Sequence, residues 1–162
     1  MLGNKILLVM PNFFAKDELT VSLQDYLEAI GVLLQTNRFA RVKDIASKLN
    51  VKLASVSVAL KQLRDKGFVD YTPYGSITLT RKGEEFAGYL ISTHNLFEKL
   101  FTEVFCFEKE EANKISCVVE HYISKSSIEK IKKFIEFKDE CKLLKSALEL
   151  FPEYLKKQQY KL

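Results

Sequence analysis

Residues 41–79 of this chain read RVKDIASKLNVKLASVSVALKQLRDKGFVDYTPYGSITL, and this stretch decides the fold. Two short segments, residues 41–49 and residues 55–66, have apolar residues at helical spacing, and the second of them stops at Gly67. Beyond that glycine the apolar residues alternate through residues 68–71 and again through 77–79, across a turn with Pro and Gly. Two helices followed by a hairpin predict a winged helix-turn-helix.

The charge distribution indicates a polyanionic partner for this stretch. The whole chain has 162 residues and a net charge of +4. Residues 38–82 contain ten Lys or Arg and three Asp or Glu, a net charge of +7. Residues 83–121 contain three Lys or Arg and eight Asp or Glu, a net charge of −5. The basic segment suits DNA, and the acidic segment that follows it suits cations.

The outer face of the second helix and the hairpin supply the candidate DNA contacts. Residues at the start of this helix could approach base edges, and the cations further along it could contact phosphates. The candidates are Ser55, Ser57, Val58, Lys61, Gln62, Arg64, Lys66, Tyr74 and Lys82.

Helical patterns flank this stretch on both sides. One covers Val21–Leu34, a long one starts at Arg81, and further helices are predicted from residue 108 towards residue 155. We therefore predict a mainly α protein: an N-terminal winged helix-turn-helix with a two-stranded wing, followed by an all-helical domain. The expected boundaries are 1–18 for an N-terminal extension, 19–82 for the DNA-binding domain and 83–162 for the helical domain.

Three of the predicted helices carry metal-ligand side chains three or four residues apart. The pairs and the triplet are Asp25 with Glu28, His94 with Glu98, and Cys117 with Glu120 and His121. Alone, each set is more often a solvent-facing charge pair or a packed thiol, but both histidines of the chain occur in such sets. Residues at these spacings share one helix face, so the three faces could converge on one or two metal ions.

The order of these motifs resembles the diphtheria toxin repressor family of metal-dependent transcriptional repressors. The resemblance covers about residues 19–137 and rests on DYLE at 25–28, RVKDIA at 41–46, SVSVAL at 55–60, GFVDY at 67–71, LTRKG at 79–83, HNLFE at 94–98 and CVVEHYIS at 117–124. It implies a homodimer that binds a pseudo-palindromic double-stranded DNA operator. It also implies repression of iron or manganese homeostasis genes when the ion is abundant.

The sequence combines marks of the iron-responsive and manganese-responsive branches of that family. Cys117 stands where iron-type members carry cysteine, whereas Asp25 and Glu28 resemble the carboxylates of the manganese type. Asn113 stands where the iron branch has a further histidine. A thiolate favours Fe²⁺ over Mn²⁺, so the predicted cofactor is a divalent transition metal, Fe²⁺ first and Mn²⁺ as the close alternative.

Other observations limit the class of protein. Three cysteines are too few for a disulfide framework, and no apolar run approaches the roughly 18 residues that span a bilayer. We therefore expect a cytoplasmic protein with no membrane partner. A metal-independent winged-helix regulator would leave the ligand sets as coincidence, and a dinuclear hydrolase would leave the basic segment without a role, so we expect a metal-dependent repressor and no enzyme.

Overall fold

The structure is a computed structural model, and it describes residues 18–72 and 75–159. Nearly all of the predicted N-terminal extension, and Tyr74 of the wing turn, lie outside the described residues. Contacts divide the chain into two compact units, the first ending at Ile91 and the second beginning at Ser92. This division falls inside one long helix, Arg81–Glu103.

Among the described residues, the first unit contains α1, Val21–Leu34; α2, Val42–Leu49; α3, Leu53–Asp65; and the start of the long helix. Asn50 directly follows α2, and its φ of 53° places it in the left-handed region that Asn tolerates well. It begins the three-residue turn, residues 50–52, that connects α2 to α3. Helix α3 therefore starts at Leu53, two residues before the start that the sequence pattern predicts.

A two-stranded antiparallel wing follows α3, as predicted. Strand β1, Val69–Tyr71, pairs with strand β2, Ile77–Leu79, with Val69 opposite Leu79. Ala40 forms an isolated bridge to Ile77 on the other edge of β2, so the segment before α2 runs beside the wing. Gly67 links α3 to β1 with a φ of 77°, a conformation in which glycine carries no steric cost.

One apolar core holds the first unit together. The side chains of Leu27, Ile45, Leu63, Phe68 and Ile77 are completely buried, and they come from α1, α2, α3 and the wing. The helical spacing of the apolar residues and the alternation in the strands thus meet in a single core. The predicted fold class, a winged helix-turn-helix with a mainly helical remainder, is confirmed.

Gly83 lies closer to another backbone segment than the other glycines that the structure describes. A Cβ atom at residue 83 would lie 1.9 Å from the carbonyl oxygen of Phe68. We expect Gly83→Ala to lower the free energy of unfolding by about 3 kcal/mol, at the upper end of overpacking costs, because backbone atoms must move. Gly88→Ala is the control, since its Cβ would meet nothing within 4 Å. Urea unfolding of both variants tests this, and an equal effect of the two substitutions would contradict it.

The second unit contains the end of α4, Arg81–Glu103, and four further helices. These are α5, Lys109–Val119; α6, Lys125–Glu140; α7, Lys142–Glu149; and α8, Phe151–Gln159. Phe97, Ala112, Ile128 and Ile135 are buried in this unit. None of the helices in the described part of the chain is long and apolar enough to cross a membrane.

Candidate metal centre and DNA-binding face

A buried pair of side chains forms the centre of the candidate metal site in the second unit. Nδ1 of His94, on α4, lies 2.9 Å from Oε2 of Glu120, which directly follows α5. The Glu120 side chain is fully buried and that of His94 is 11% exposed. A buried carboxylate is costly unless it is paired, and His94 supplies a partner for only one of its two oxygens.

Two further predicted ligands lie beside this pair. The Sγ atom of Cys117 is 3.8 Å from Nδ1 of His94, and Nε2 of His121 is 3.5 Å from Oε1 of Glu120. Cys117 is exposed whereas His121 is buried, so the cluster reaches the surface of the unit at the thiol. The structure thus brings together four of the seven predicted ligands within one unit.

These four groups fit a divalent cation. Oε1 of Glu120 is buried and makes no hydrogen bond within the part of the chain that the structure describes. Carboxylate, imidazole and thiolate groups are all ligands of first-row transition metals. A cation at this place would compensate the buried carboxylate, which the surrounding side chains do only in part.

The surroundings of His94 favour the protonated form of its imidazole. Its hydrogen bond with Cys117, and then its hydrogen bond with Glu120, raise the pKa of His94 to about 10, although burial acts in the opposite direction. A histidine must be deprotonated to ligate a metal, so cation binding here requires proton release and weakens as pH falls.

Asn113 is a neighbour of the cluster that we did not include among the candidate ligands. Its side-chain Nδ2 lies 3.2 Å from Nε2 of His94. The amide therefore contacts the ring nitrogen that does not face Glu120, and it restricts the orientation of the imidazole. Its position four residues before Cys117, on the same face of α5, is the sequence signal for this contact.

The other three predicted ligands are Glu98, on α4 in the second unit, and Asp25 and Glu28, on α1 in the first unit. Glu98 makes no side-chain hydrogen bond or ion pair with any described residue, and it borders a surface groove together with Lys99 and Glu103. Asp25 and Glu28 lie in the first unit on α1, one helical turn apart, and both are half-buried.

The predicted DNA-binding residues of α3 form an exposed face. Ser55, Lys61, Gln62 and Lys66 are exposed, and 56% of Val58 is accessible. Ser57 is half-buried, and its hydroxyl donates a hydrogen bond to the carbonyl oxygen of Leu53.

Two predicted phosphate contacts are already paired within the protein. Arg64 forms an ion pair with Asp65 at 2.8 Å. Lys82 forms one with Glu18 at 2.5 Å, and its ammonium lies 4.2 Å from the ring centroid of Phe68. These charges are therefore less available to DNA than the sequence alone indicates.

Comparison with known protein families gives the class of protein. Residues 18–77 match the N-terminal DNA-binding domain of the iron-dependent repressors, and residues 80–145 match their metal-binding and dimerisation domain. The chain belongs to this family. The resemblance to the diphtheria toxin repressor family is confirmed, and the chain is a metal-dependent transcriptional regulator that binds DNA as a homodimer, not an enzyme.

Individual relatives agree with this assignment. The chain is 35% identical over 120 residues to an HTH-type transcriptional regulator of Methanocaldococcus jannaschii, covering 73% of this chain and 96% of the relative. It is 32% identical to the HTH-type transcriptional regulator MntR of Lysinibacillus sphaericus, covering 75% and 86%. A solved manganese-dependent transcriptional repressor in complex with manganese superimposes with a TM-score of 0.65 at 25% identity, covering 71% of this chain. This chain spans about half of that structure, 53% of its length.

Proposed function

We propose that this chain represses metal-homeostasis genes and that its affinity for operator DNA rises when Fe²⁺ or Mn²⁺ binds to His94, Cys117, Glu120 and His121. Asp25 and Glu28 complete the proposed ligand set, as the family resemblance implies, whereas the contacts of Glu98 give it no support as a ligand of the same ion. The observation that carries the proposal is the fully buried Glu120 with one oxygen outside any hydrogen bond. In a metal-independent regulator, this buried carboxylate would cost free energy without serving a function.

The residues of the cluster have distinct roles in this proposal. Glu120 supplies the buried negative charge, and the two histidines supply neutral nitrogen ligands once His94 has lost its proton. Asn113 keeps the His94 ring oriented towards Glu120. Because Cys117 is the exposed member of the set, it is the ligand that meets solvent and an incoming ion first.

The ligand set favours Fe²⁺ over Mn²⁺. The argument rests on Cys117, since a thiolate suits Fe²⁺ better than Mn²⁺, whereas carboxylates and imidazoles suit both. Mn²⁺ is the second candidate, because the superimposed relative is a manganese-dependent repressor and because Asp25 and Glu28 add two carboxylates.

Metal-dependent DNA binding tests the proposal directly. We expect the full-length, metal-free chain to bind an operator, selected from a random duplex pool, at least about tenfold more tightly once Fe²⁺ or Mn²⁺ is added without oxygen. Fluorescence anisotropy with labelled duplex measures this gain. Equal affinity with and without either ion would show that the regulator does not depend on metal.

Cys117→Glu tests the choice between the two ions. The substitution replaces a soft ligand with a hard one, so the ratio of Fe²⁺ affinity to Mn²⁺ affinity should fall by about tenfold or more. Competition with a fluorescent chelator measures both affinities. Cys141→Ser removes a half-buried thiol that lies at the start of α7, and it should leave the ratio unchanged. A parental ratio in Cys117→Glu would mean that this thiol is not a ligand.

A further inference from the structure

The imidazole of His94 lies against two residues of α5 that are one helical turn apart. Asn113 and Cys117 are four residues apart on this helix and therefore lie on the same face. The Sγ atom of Cys117 lies 3.8 Å from Nδ1 of the ring, and Nδ2 of Asn113 lies 3.2 Å from Nε2. Each nitrogen of the ring therefore has its own neighbour on α5.

The surroundings of the two ring nitrogens decide which of them can share an ion with the other ligands. Nδ1 faces Glu120, whose Oε2 is 2.9 Å away, and it also faces Cys117. Nε2 faces Asn113. The lone pairs of the two nitrogens point to different sides of the ring, so an ion that binds Glu120 and Cys117 meets His94 at Nδ1.

An ion at Nδ1 fixes the position of the ring hydrogen. A neutral imidazole has one N–H and one acceptor nitrogen, and the acceptor is the nitrogen that ligates a metal. With Nδ1 bound to the ion, Nε2 carries the N–H and needs a hydrogen-bond acceptor. The Asn113 amide supplies one when it turns by about 180° around its Cβ–Cγ bond, because this exchanges Nδ2 for Oδ1, an atom of nearly the same size.

We propose that Asn113 is a positioning residue that makes Nδ1 the metal ligand of His94, by accepting a hydrogen bond from Nε2–H through its side-chain oxygen. The inference rests on the proposed function, because it takes the cluster around Glu120 as a metal site. A fixed partner for the N–H holds the ring in one orientation and raises the basicity of the ligating nitrogen. Such partners commonly contribute about 10- to 100-fold to metal affinity.

The position of the ring hydrogen tests this inference directly. The probe is Zn²⁺, a diamagnetic ion that binds imidazole, thiolate and carboxylate groups, added to the full-length chain labelled with ¹⁵N in histidine. The chain contains two histidines, so the signals of His94 and His121 can be told apart. Long-range ¹H–¹⁵N correlation spectra should show the hydrogen of His94 on Nε2 and Zn²⁺ on Nδ1. Zn²⁺ on Nε2, or a hydrogen on Nδ1, would overturn the proposal.

Substitutions at residue 113 separate the hydrogen bond from the shape of the side chain. Asn113→Leu keeps a side chain of similar size, shields Nε2 from water and removes the acceptor. The affinity for Zn²⁺, measured by competition with a chelator, should therefore fall by about tenfold or more. Asn113→Ala admits water, which can accept from Nε2–H, so its loss should stay below about threefold. Asn113→Asp keeps an oxygen acceptor and should bind Zn²⁺ at least as tightly as the parent.

Asn95→Leu is the matched control. Asn95 is an exposed amide that follows His94 directly on α4 and borders the surface groove next to Glu98. We expect parental Zn²⁺ affinity for this variant. Thermal unfolding of the metal-free proteins checks that all variants fold, which is expected because Asn113 and Asn95 are both exposed. An equal loss of affinity in Asn113→Leu and Asn95→Leu would overturn the proposal.

The outcomes distinguish this inference from the proposed function. Parental Zn²⁺ affinity in Asn113→Leu would overturn the role of Asn113 even if Fe²⁺ or Mn²⁺ raised the affinity for DNA. A selective loss in Asn113→Leu, with the ring hydrogen of the parent on Nε2, would support it even if these ions left the affinity for DNA unchanged.

Discussion

Glu120→Gln is expected to weaken Mn²⁺ and Fe²⁺ binding by about 150- to 5,000-fold. The substitution keeps the shape of the side chain and leaves an oxygen that can accept from His94, but it removes the buried negative charge. Breaking a buried charge pair by removing one partner costs about 3–5 kcal/mol, which corresponds to this range of affinity. Chelator competition without oxygen measures the affinity for each ion.

A matched control is available on α5, the helix that directly precedes Glu120. Glu111 lies in the first turn of α5 and is exposed, so Glu111→Gln removes an equal charge at a distance from His94 along the helix. We expect parental metal affinity for this variant. If Glu120→Gln also bound both ions as tightly as the parent, the cluster around Glu120 would not be the metal site. Thermal unfolding of the metal-free proteins would show whether the fold is retained.

Asp25→Asn/Glu28→Gln is expected to remove most of the metal-induced gain in operator affinity while metal binding persists. The four ligands of the second unit remain intact in this variant, and so does the proposed dimer. Both substitutions preserve shape but remove the two charges that α1 would offer to a cation. To change a two-state population from 1:99 to 99:1, the ion must bind the active state more tightly than the inactive state by about 5.5 kcal/mol. Loss of two charged ligands should remove a large part of this difference in binding free energy.

The ratio of operator affinity with and without Mn²⁺ is the measurement, taken together with metal stoichiometry and the mass in solution. We expect the ratio to fall by at least about tenfold. Asp70→Asn/Glu84→Gln is the control, because it removes two exposed carboxylates from the same unit. A parental ratio in Asp25→Asn/Glu28→Gln would rule out these residues as the link between the ion and DNA binding.

The architecture was accessible from the sequence because it depends on local patterns. The bounds of α1 and β2 agree with the apolar periodicity, and the order of helices and hairpin agrees throughout the first unit. The start of α3 differed, because the pattern does not reveal that Asn50 turns the chain in a left-handed conformation. The spacing of Cys117, Glu120 and His121 also predicted a shared face, since helical geometry alone brings these residues together.

The sequence pattern does not predict which cations of the basic segment are paired with carboxylates and which remain available to bind DNA. The count of +7 for residues 38–82 treats every cation alike. In the structure, Arg64 and Lys82 form ion pairs with carboxylates. Arg41 instead lies over the ring of Phe39 and forms no ion pair with any described residue. Lys82 and Glu18 are 64 residues apart in the chain, so no periodicity could reveal their pairing.

By itself, the sequence of this protein determined the winged helix, the helical remainder, the family and the residue types of a metal site, because periodicity and motif spacing are local properties. The tertiary structure decided which of those residues meet. It brought His94 to Glu120 across 26 residues, buried that carboxylate completely, placed Asn113 against the second ring nitrogen and left Glu98 apart. Burial and pairing depend on how helices pack. The free-energy cost of a buried charge that is only partly compensated, which identifies the site, therefore exists only after the helices have packed.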